Sequence, residues 1–167
     1  MNIVLCGMMG AGKTVVGKIL ADTLGWAWAD TDETIASQYG AIPELFEKQG
    51  ELYFRDLETQ TVKTLAQKDR LVISTGGGTL LRTENASLLK QNGVIVYLRA
   101  SKETLVKRLQ GDKPRPLLKA GRIDEKIDEL LRARKEIYEG VSHLVVDTDE
   151  KTSKVIAEEI LASIEIK

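Results

Sequence analysis

A glycine-rich segment near the amino terminus, residues 7–14, has the spacing G-x-x-x-x-G-K-[ST]. It follows the apolar run Ile3–Cys6 and precedes a helical pattern that begins near Val15. In this context the glycines let successive backbone N–H groups point at one anion, and the positive end of the helix adds to them. Lys13 and Thr14 are then placed to reach phosphate oxygens and Mg²⁺. The segment predicts binding of a nucleoside triphosphate, against the alternative of a glycine-rich turn with an incidental lysine.

Two aspartates flank a threonine where the second predicted strand meets a helix, in the segment Asp30-Thr31-Asp32-Glu33. Asp30 and Glu33 have the spacing of a capping box, and acidic residues are favoured in a first helical turn. The functional alternative is that one carboxylate holds Mg²⁺ or its water shell while the other orients a substrate hydroxyl. The neighbouring phosphate loop favours the functional alternative.

Two arginines on predicted helices have different surroundings. Arg55 has Glu51 one turn before it and Glu58 nearly one turn after it, so one interpretation is a salt-bridged residue. Arg134 has no acidic neighbour at three- or four-residue steps. One interpretation is that its aliphatic part packs on apolar surface while its guanidinium reaches water. Either guanidinium could instead bind a carboxylate through two parallel hydrogen bonds. Position alone leaves both alternatives open.

Two loops have an unusual composition. Gly76, Gly77 and Gly78 follow an apolar run, and three successive glycines suggest a backbone held against a ligand rather than a flexible connection. Arg115 lies between two prolines in a basic loop, which we interpret as a lid over about residues 111–123 rather than an exposed loop with scattered cations. A lid cation that closes on a triphosphate would stabilise charge that develops during transfer.

Other residues that can carry chemistry are assigned structural roles. Cys6 is the only cysteine and lies in an apolar run, which indicates a buried, inert thiol. His143, the only histidine, precedes the last strand far from the other candidates, so we expect a satisfied or solvent-facing imidazole. Trp26 and Trp28 lie two residues apart on a strand, hence on one face, and are interpreted as packing residues.

Short apolar runs alternate with longer amphipathic stretches along the chain, which implies a parallel sheet covered by helices on both faces. Several helices between consecutive strands, over residues 31–70, form an insertion that we expect over the carboxyl ends of the strands, where open α/β sheets bind ligands. The pattern predicts strands near residues 2–6, 26–30, 71–74, 94–98 and 144–147, and helices near 13–24, 31–39, 43–48, 51–67, 83–91, 101–110, 124–138 and 152–163.

Length and composition narrow the class of protein. The 167 residues suit one domain of moderate size, which we assign to residues 1–167. The 24 basic and 25 acidic residues nearly cancel, so the electrostatic footprint of a nucleic-acid or anionic-membrane partner is missing. No stretch has the roughly 18 uninterrupted apolar residues of a membrane span. We expect a cytoplasmic monomer with small-molecule partners.

Taken together, these motifs resemble those of the shikimate kinases. The resemblance rests on the phosphate loop, on Asp-Thr-Asp at 30–32, on Phe-Glu-x-x-Gly-Glu-x-x-Phe-Arg at 46–55, on the three glycines, on Arg-Pro-Leu-Leu at 115–118 and on Arg-x-x-x-Tyr at 134–138. It extends from residue 3 to about residue 147. It implies a three-layer α/β/α fold with a five-stranded parallel sheet of the P-loop, nucleoside-monophosphate-kinase-like type, with a substrate-binding helical insertion at about residues 31–60 and a lid.

The resemblance also implies roles on the nucleotide side of the site. Lys13 and Arg115 would stabilise the transferred phosphoryl group, Thr14 and Asp30 would place one Mg²⁺ ion, and Arg108 would pack on the adenine. The implied ATP-binding set is Gly10, Ala11, Gly12, Lys13, Thr14, Val15, Arg108 and Arg115.

On the acceptor side, Asp32 is implied to contact the reacting hydroxyl of shikimate, and Arg55 and Arg134 to bind its carboxylate. The glycine segment, with Gly76, Gly77 and Gly78, would approach the substrate through its backbone. The implied activity is transfer of the γ-phosphoryl group of ATP to a ring hydroxyl of shikimate. The alternatives are a related small-metabolite kinase, such as one that acts on gluconate, and a nucleotide-binding module without catalysis.

Overall fold

The computed structural model of the chain describes residues 1–111 and 122–166. Within them, five parallel strands form one sheet in the order β2-β3-β1-β4-β5. The strands are β1 (Asn2–Cys6), β2 (Ala27–Asp30), β3 (Leu71–Ser74), β4 (Gly93–Arg99) and β5 (Leu144–Asp147).

Helices connect the strands and cover the sheet in a three-layer α/β arrangement. Helices α1 and α8 pack on each other, and α5 and α7 pack on β4. The helices are α1 (Lys13–Leu24), α2 (Thr31–Tyr39), α3 (Ile42–Gln49), α4 (Glu51–Ala66), α5 (Thr83–Lys90), α6 (Lys102–Gly111), α7 (Ile123–Val141) and α8 (Ser153–Ser163), with a short 3₁₀ helix at Thr79–Leu81. No helix in the described part of the chain is long and apolar enough to cross a membrane.

The strands form the core because their side chains are apolar on both faces of the sheet. Every residue of β1 and β3 is buried, as expected for strands of a parallel sheet covered on both sides. Asn2 is the polar exception in β1, and its side-chain amide donates to the carbonyl of Lys68 and accepts from the N–H of Leu71. The buried polar group is therefore satisfied and fixes the start of β3.

Helices α2, α3 and α4 form the insertion between β2 and β3, and they have a small core of their own. Ile35, Phe54 and Leu57 are buried together, with Ile42 and Leu45 packed against them. This cluster is separate from the main core beneath the sheet. The insertion is thus a compact helical unit, joined to the sheet at the end of β2 and at the start of β3.

The predicted fold class is confirmed, and the predicted strands and helices agree with the structure to within about three residues. The prediction was wrong in ending the seventh helix at 138, because Tyr138 is buried and Val141 still packs against the core, so α7 continues. The 3₁₀ helix was not predicted. Its turn is closed by the N–H of Leu81 donating to the carbonyl of Gly78. Most of the proposed lid lies outside the described residues.

Candidate active site

The phosphate loop joins the end of β1 to the start of α1 by a backbone that only glycine adopts readily. Gly10 and Gly12 have φ values of 80° and 97°, in the left-handed region. Helix α1 begins at Lys13 with no side-chain cap and no acidic residue in its first turn. Its positive end is consequently open to an anion, which is the arrangement that binds phosphate.

Lys13 folds back over this loop. Its ammonium donates to the carbonyls of Gly7 at 2.6 Å and Met8 at 2.9 Å. Burial lowers the pKa of Lys13 to about 8, although Cys6 and Asp32 oppose the shift. The side chain therefore remains mainly cationic at neutral pH and faces the mouth of the loop.

Asp30 caps helix α2. One oxygen of its carboxylate accepts from the backbone N–H groups of Asp32 at 2.8 Å and Glu33 at 3.1 Å. The helix-capping interpretation of Asp30 is therefore correct for this oxygen, while the side chain also lines the cleft described below. Capping fixes the carboxylate at the carboxyl end of β2, beside the phosphate loop.

Asp32 occupies a crowded, partly buried position. Burial raises the pKa of its carboxyl group to about 6, and the charges of Asp30 and Glu58 add to the shift, whereas Lys13 and Arg55 oppose it. A carboxylate with a raised pKa that is close to a cation is typical of a functional site.

The three glycines that follow β3 lie against the three acceptor-side candidates. A Cβ built on Gly76 would lie 2.6 Å from Oδ1 of Asp32. On Gly77 it would lie 3.0 Å from Nη1 of Arg134, and on Gly78 it would lie 2.7 Å from Nη2 of Arg55. The glycine segment was predicted to be held against a ligand, and in the structure its missing side chains make room for these charged groups. Asp32, Arg55 and Arg134 thus converge on one short stretch of backbone.

Arg55 is oriented by acidic neighbours on its own helix. Its guanidinium donates to Glu58 at 2.6 Å and to Glu51 at 3.3 Å, so the predicted salt bridges form. Burial lowers the pKa of Arg55, but the hydrogen bonds and charges of Glu58 and Glu51 outweigh it and raise that pKa. The side chain of Glu58 is only 1% exposed and also accepts from the hydroxyl of Thr79 at 2.6 Å. The salt bridge therefore aims the guanidinium at Gly78 instead of leaving it in solvent.

Arg134 and Tyr138 lie one turn apart on α7 and face the same glycine segment. The phenol of Tyr138 donates to the carbonyl of Gly77. Burial raises the pKa of Tyr138 to about 12, although Arg134 opposes the shift. The tyrosine is thus a neutral hydroxyl that ties α7 to the glycine segment.

Arg108 reaches from the end of α6 to the opposite side of the phosphate loop. Its guanidinium donates to the carbonyl of Gly10 at 3.1 Å and to that of Thr148 at 3.1 Å, with a longer bond to Ala11 at 3.5 Å. It joins the phosphate loop to the segment that follows β5. The resemblance implies contact with adenine for this residue, and that role stays a prediction.

A cleft of about 580 Å³ unites most of the predicted nucleotide-side residues with part of the acceptor side. Its walls come from the phosphate loop, the end of β2, the glycine segment and α6. They include Met9, Gly10, Gly12, Lys13, Thr14, Val15, Asp30, Asp32, Thr75, Gly76, Gly77, Arg108 and Leu109. A second cleft of about 540 Å³, beside α7, contains none of the predicted site residues. Arg115 lies outside the described residues.

The donor set of the cleft fits a magnesium ion held mainly by phosphate. Thr14 and Asp30 both line the cleft and offer a hydroxyl and a carboxylate oxygen, the ligand type that Mg²⁺ prefers. In the described residues no group of three or more acidic, histidine or cysteine side chains forms a metal cage. Magnesium with a bound nucleotide needs only one or two protein ligands, so the residues present fit that ion.

Residues without a predicted role hold this arrangement together. The buried hydroxyl of Thr31, between the two aspartates, accepts from the N–H of Gly76 at 2.8 Å and fixes the glycine segment to α2. Tyr138 holds Gly77 through the carbonyl of that glycine, and Glu58 holds the guanidinium of Arg55 beside Gly78. A signal for Glu58 was its position three residues after Arg55, but its burial could not be inferred from spacing.

Comparison with known proteins decides the family. A profile of the shikimate kinase family matches residues 9–165 of the chain. The chain belongs to the shikimate kinase family. Over 165 residues it is 45% identical to the shikimate kinase of Thermodesulfovibrio yellowstonii, and the match covers 98% of this chain and 95% of the relative.

Solved structures of shikimate kinases share the fold. The shikimate kinase from Acinetobacter baumannii in complex with shikimate matches with a TM-score of 0.88 and 41% identity, over 96% of this chain and 90% of that one. The shikimate kinase from Aquifex aeolicus matches with a TM-score of 0.82 and 35% identity, over 98% and 95% of the two chains. The resemblance predicted from the motifs is confirmed at the level of family and fold.

Proposed function

We propose that the chain transfers the γ-phosphoryl group of ATP to a ring hydroxyl of shikimate, giving shikimate 3-phosphate and ADP for aromatic amino acid biosynthesis. The observation that carries this proposal is the meeting of two guanidinium groups, Arg55 and Arg134, at the glycine segment beside Asp32 and the phosphate loop. A small acceptor with one carboxylate and a nearby hydroxyl matches such a site. The A. baumannii relative, solved in complex with shikimate, supports the same acceptor.

In this mechanism the acceptor hydroxyl attacks the γ-phosphorus directly, and the bond to the bridging oxygen of ADP breaks, so no covalent enzyme intermediate forms. Asp32 positions the hydroxyl and accepts its proton. The ammonium of Lys13, held at the phosphate loop, neutralises negative charge on the transferred phosphoryl group. Catalysis then rests on alignment and electrostatic stabilisation.

The remaining assignments complete the site. Arg55 and Arg134 bind the carboxylate of shikimate, and the glycine segment contacts the acceptor through its backbone. Gly10, Ala11, Gly12 and Val15 would contact the phosphates, with Arg108 at the adenine and Arg115 closing over the transferred group.

One Mg²⁺ ion would be held by Thr14 and Asp30 and would neutralise phosphate charge when bound. Capping of α2 by one oxygen of Asp30 keeps this carboxylate in place before the ion binds. We assign the whole chain to one domain with an acceptor-binding insertion and a lid, working as a cytoplasmic monomer of 18.5 kDa.

A coupled assay of ADP release tests the acceptor. The purified chain is incubated with Mg·ATP and, in separate reactions, with shikimate, quinate, gluconate or a nucleoside monophosphate. We expect ADP release that depends on shikimate and far exceeds the rate with ATP alone. Faster turnover with gluconate would identify the alternative small-metabolite kinase. No acceptor-dependent release, with nucleotide binding retained, would indicate a non-catalytic nucleotide-binding module.

A further inference from the structure

Two hydrogen bonds in series link β2 and β3 to the first turn of α1. The indole N–H of Trp28 donates to Oγ of Ser74 at 3.0 Å, and that hydroxyl donates to the backbone carbonyl of Lys13 at 2.9 Å. The direction is fixed because an indole nitrogen can only donate, which leaves the serine proton for the carbonyl. Ser74 is completely buried, so the hydroxyl at the centre of the link is shielded from water.

The packing around this link leaves no spare room. A Cβ built on Gly17 of α1 would lie 2.6 Å from Oγ of Ser74 and 2.7 Å from Nε1 of Trp28. The absence of a side chain at Gly17 therefore lets the indole and the hydroxyl approach the helix. The ammonium of Lys18 lies 4.6 Å from the centre of the Trp28 ring and holds its outer face.

The link joins three of the backbone segments that carry the candidate site. Trp28 precedes Asp30 by two residues on β2, so both side chains leave the sheet on the same face. Asp30 pairs with Ser74 in the register of β2 and β3, and Ser74 is followed by the glycine segment after one residue. The third segment is the first turn of α1, which carries Lys13 and Thr14.

We propose that Trp28 and Ser74 are positioning residues for phosphoryl transfer, because they hold the start of α1 against the ends of β2 and β3. The inference rests on the function proposed above, in particular on the roles of Lys13 and Asp30. Phosphoryl transfer depends on the alignment of nucleotide and acceptor, so a small displacement of α1 lowers the rate without removing a contact to either substrate. The tryptophan is then more than the packing residue that the sequence suggested.

Kinetics of Trp28→Phe, Ser74→Ala and the double variant test this proposal. Trp26→Phe is the matched control, because Trp26 also packs on the core but its indole donates no hydrogen bond to a described residue. We expect kcat to fall about three- to tenfold in Trp28→Phe and in Ser74→Ala. This is the change in rate that corresponds to the net free energy of one lost hydrogen bond. KM for shikimate should stay near that of the unsubstituted protein, since Arg55 and Arg134 are untouched.

The double variant separates a linked pair from two independent packing effects. If the two bonds act in series, the double variant loses no more turnover than Ser74→Ala does. Losses that multiply, or values of kcat equal to that of Trp26→Phe, would overturn the proposal. Thermal unfolding identifies variants that fail to fold. Should Ser74→Ala be one of them, Trp28→Phe still carries the test, because phenylalanine retains most of the apolar volume.

Fluorescence gives a readout that does not need turnover. The chain has two tryptophans, so Trp28 is the single source of tryptophan emission in the Trp26→Phe protein. We expect Mg·ADP to change this emission, and we expect Ser74→Ala to remove at least half of the change. An equal emission change on Mg·ADP addition in Trp26→Phe with and without Ser74→Ala, or no change in either protein, would contradict the link. Absence of shikimate-dependent turnover would instead overturn the proposed function, and this comparison would still test the link through nucleotide binding alone.

Discussion

At the scale of single residues, the lysine of the phosphate loop has the most direct assignment. Backbone carbonyls of Gly7 and Met8 hold its ammonium over the loop, where a γ-phosphate would take their place as its partner. Removing this charge should lower transition-state stabilisation and leave the fold intact, because the hydrogen-bond partners of the ammonium are two carbonyls of the phosphate loop itself.

We predict that Lys13→Ala lowers kcat for shikimate phosphorylation by about two to three orders of magnitude, as for other removed electrostatic stabilisers. Circular dichroism should show an unchanged fold. Lys154→Ala, on the exposed face of α8, is the control for removing a lysine and should retain full activity. Near-normal turnover in folded Lys13→Ala would exclude the lysine from the mechanism.

Asp32 makes a prediction about stability and pH. Its carboxyl pKa is raised to about 6 in the folded protein, mainly by burial, from a value near 4 in an unfolded chain. The folded state therefore binds the proton more tightly, and stability falls as the pH rises from about 4 to about 6. Above this window the ionised carboxylate destabilises the fold.

Asp32→Asn should accordingly raise the free energy of unfolding above pH 6 by about 1–2 kcal/mol, after allowance for solvent screening. The gain should vanish below pH 4. Denaturant unfolding at several pH values, without Mg²⁺ or nucleotide, measures it. Glu33→Gln, at the exposed neighbouring position, should show no such pH-dependent gain. A gain of equal size at pH 4 and pH 8 would mean that ionisation of Asp32 is not its origin.

Much of what single residues do could be anticipated from spacing, but their burial could not. The ion pairs of Arg55 with Glu51 and Glu58 follow from helical periodicity alone. That Glu58 is buried and shared with Thr79 depends on how α4 meets the 3₁₀ helix, a contact that no local pattern reveals. The same holds for Tyr138, whose partner Gly77 lies 61 residues away.

At the scale of elements, the glycine segment is the surface on which α2, α4 and α7 converge. Three consecutive glycines predict a backbone held against a ligand, which stays a prediction, and the structure shows Asp32, Arg134 and Arg55 as the neighbours of this segment. Their identity was not predictable, because side chains from three separate helices meet there only after the whole sheet has assembled. Substitution of Gly78 is the sharpest test of the role of this segment in acceptor binding, since the missing Cβ of Gly78 makes room for the guanidinium of Arg55.

We predict that Gly78→Ala raises KM for shikimate at least about tenfold. The new methyl group displaces the guanidinium of Arg55, which can then no longer form two parallel hydrogen bonds with the carboxylate of shikimate. ATP affinity should not change, and the free energy of unfolding should change little, because the flexible end of Arg55 can move. Gly140→Ala is the matched control, as a Cβ there meets nothing within 4 Å. In α7 it should preserve activity and stabilise the helix by about 0.5–1 kcal/mol. Unchanged KM in Gly78→Ala would disconnect this segment from acceptor binding.

At the scale of the whole molecule, the parallel sheet gathers the site by bringing strand ends together. Apolar runs and helical periods predicted all five strands and the three-layer class, because those signals are local. The strand order β2-β3-β1-β4-β5 was not predicted, since the periodicity of apolar residues does not say which strands are neighbours. That order puts β1 between β3 and β4, so the phosphate loop opens beside the glycine segment. The family assignment rests on the match to the shikimate kinase profile and to curated relatives. The proposed acceptor chemistry depends on two arginines from α4 and α7.

Titration of shikimate by calorimetry into the unsubstituted protein, Arg55→Lys, Arg134→Lys and the double variant tests the central claim most directly. Lysine keeps the charge but cannot reproduce a two-pronged contact with a carboxylate. We predict that each single variant binds shikimate at least about tenfold more weakly, that the two losses are not additive because the groups share one carboxylate, and that ADP affinity is unchanged. Shikimate affinity equal to that of the unsubstituted protein in both single variants would contradict the account, because the two arginines would then have no part in binding the acceptor.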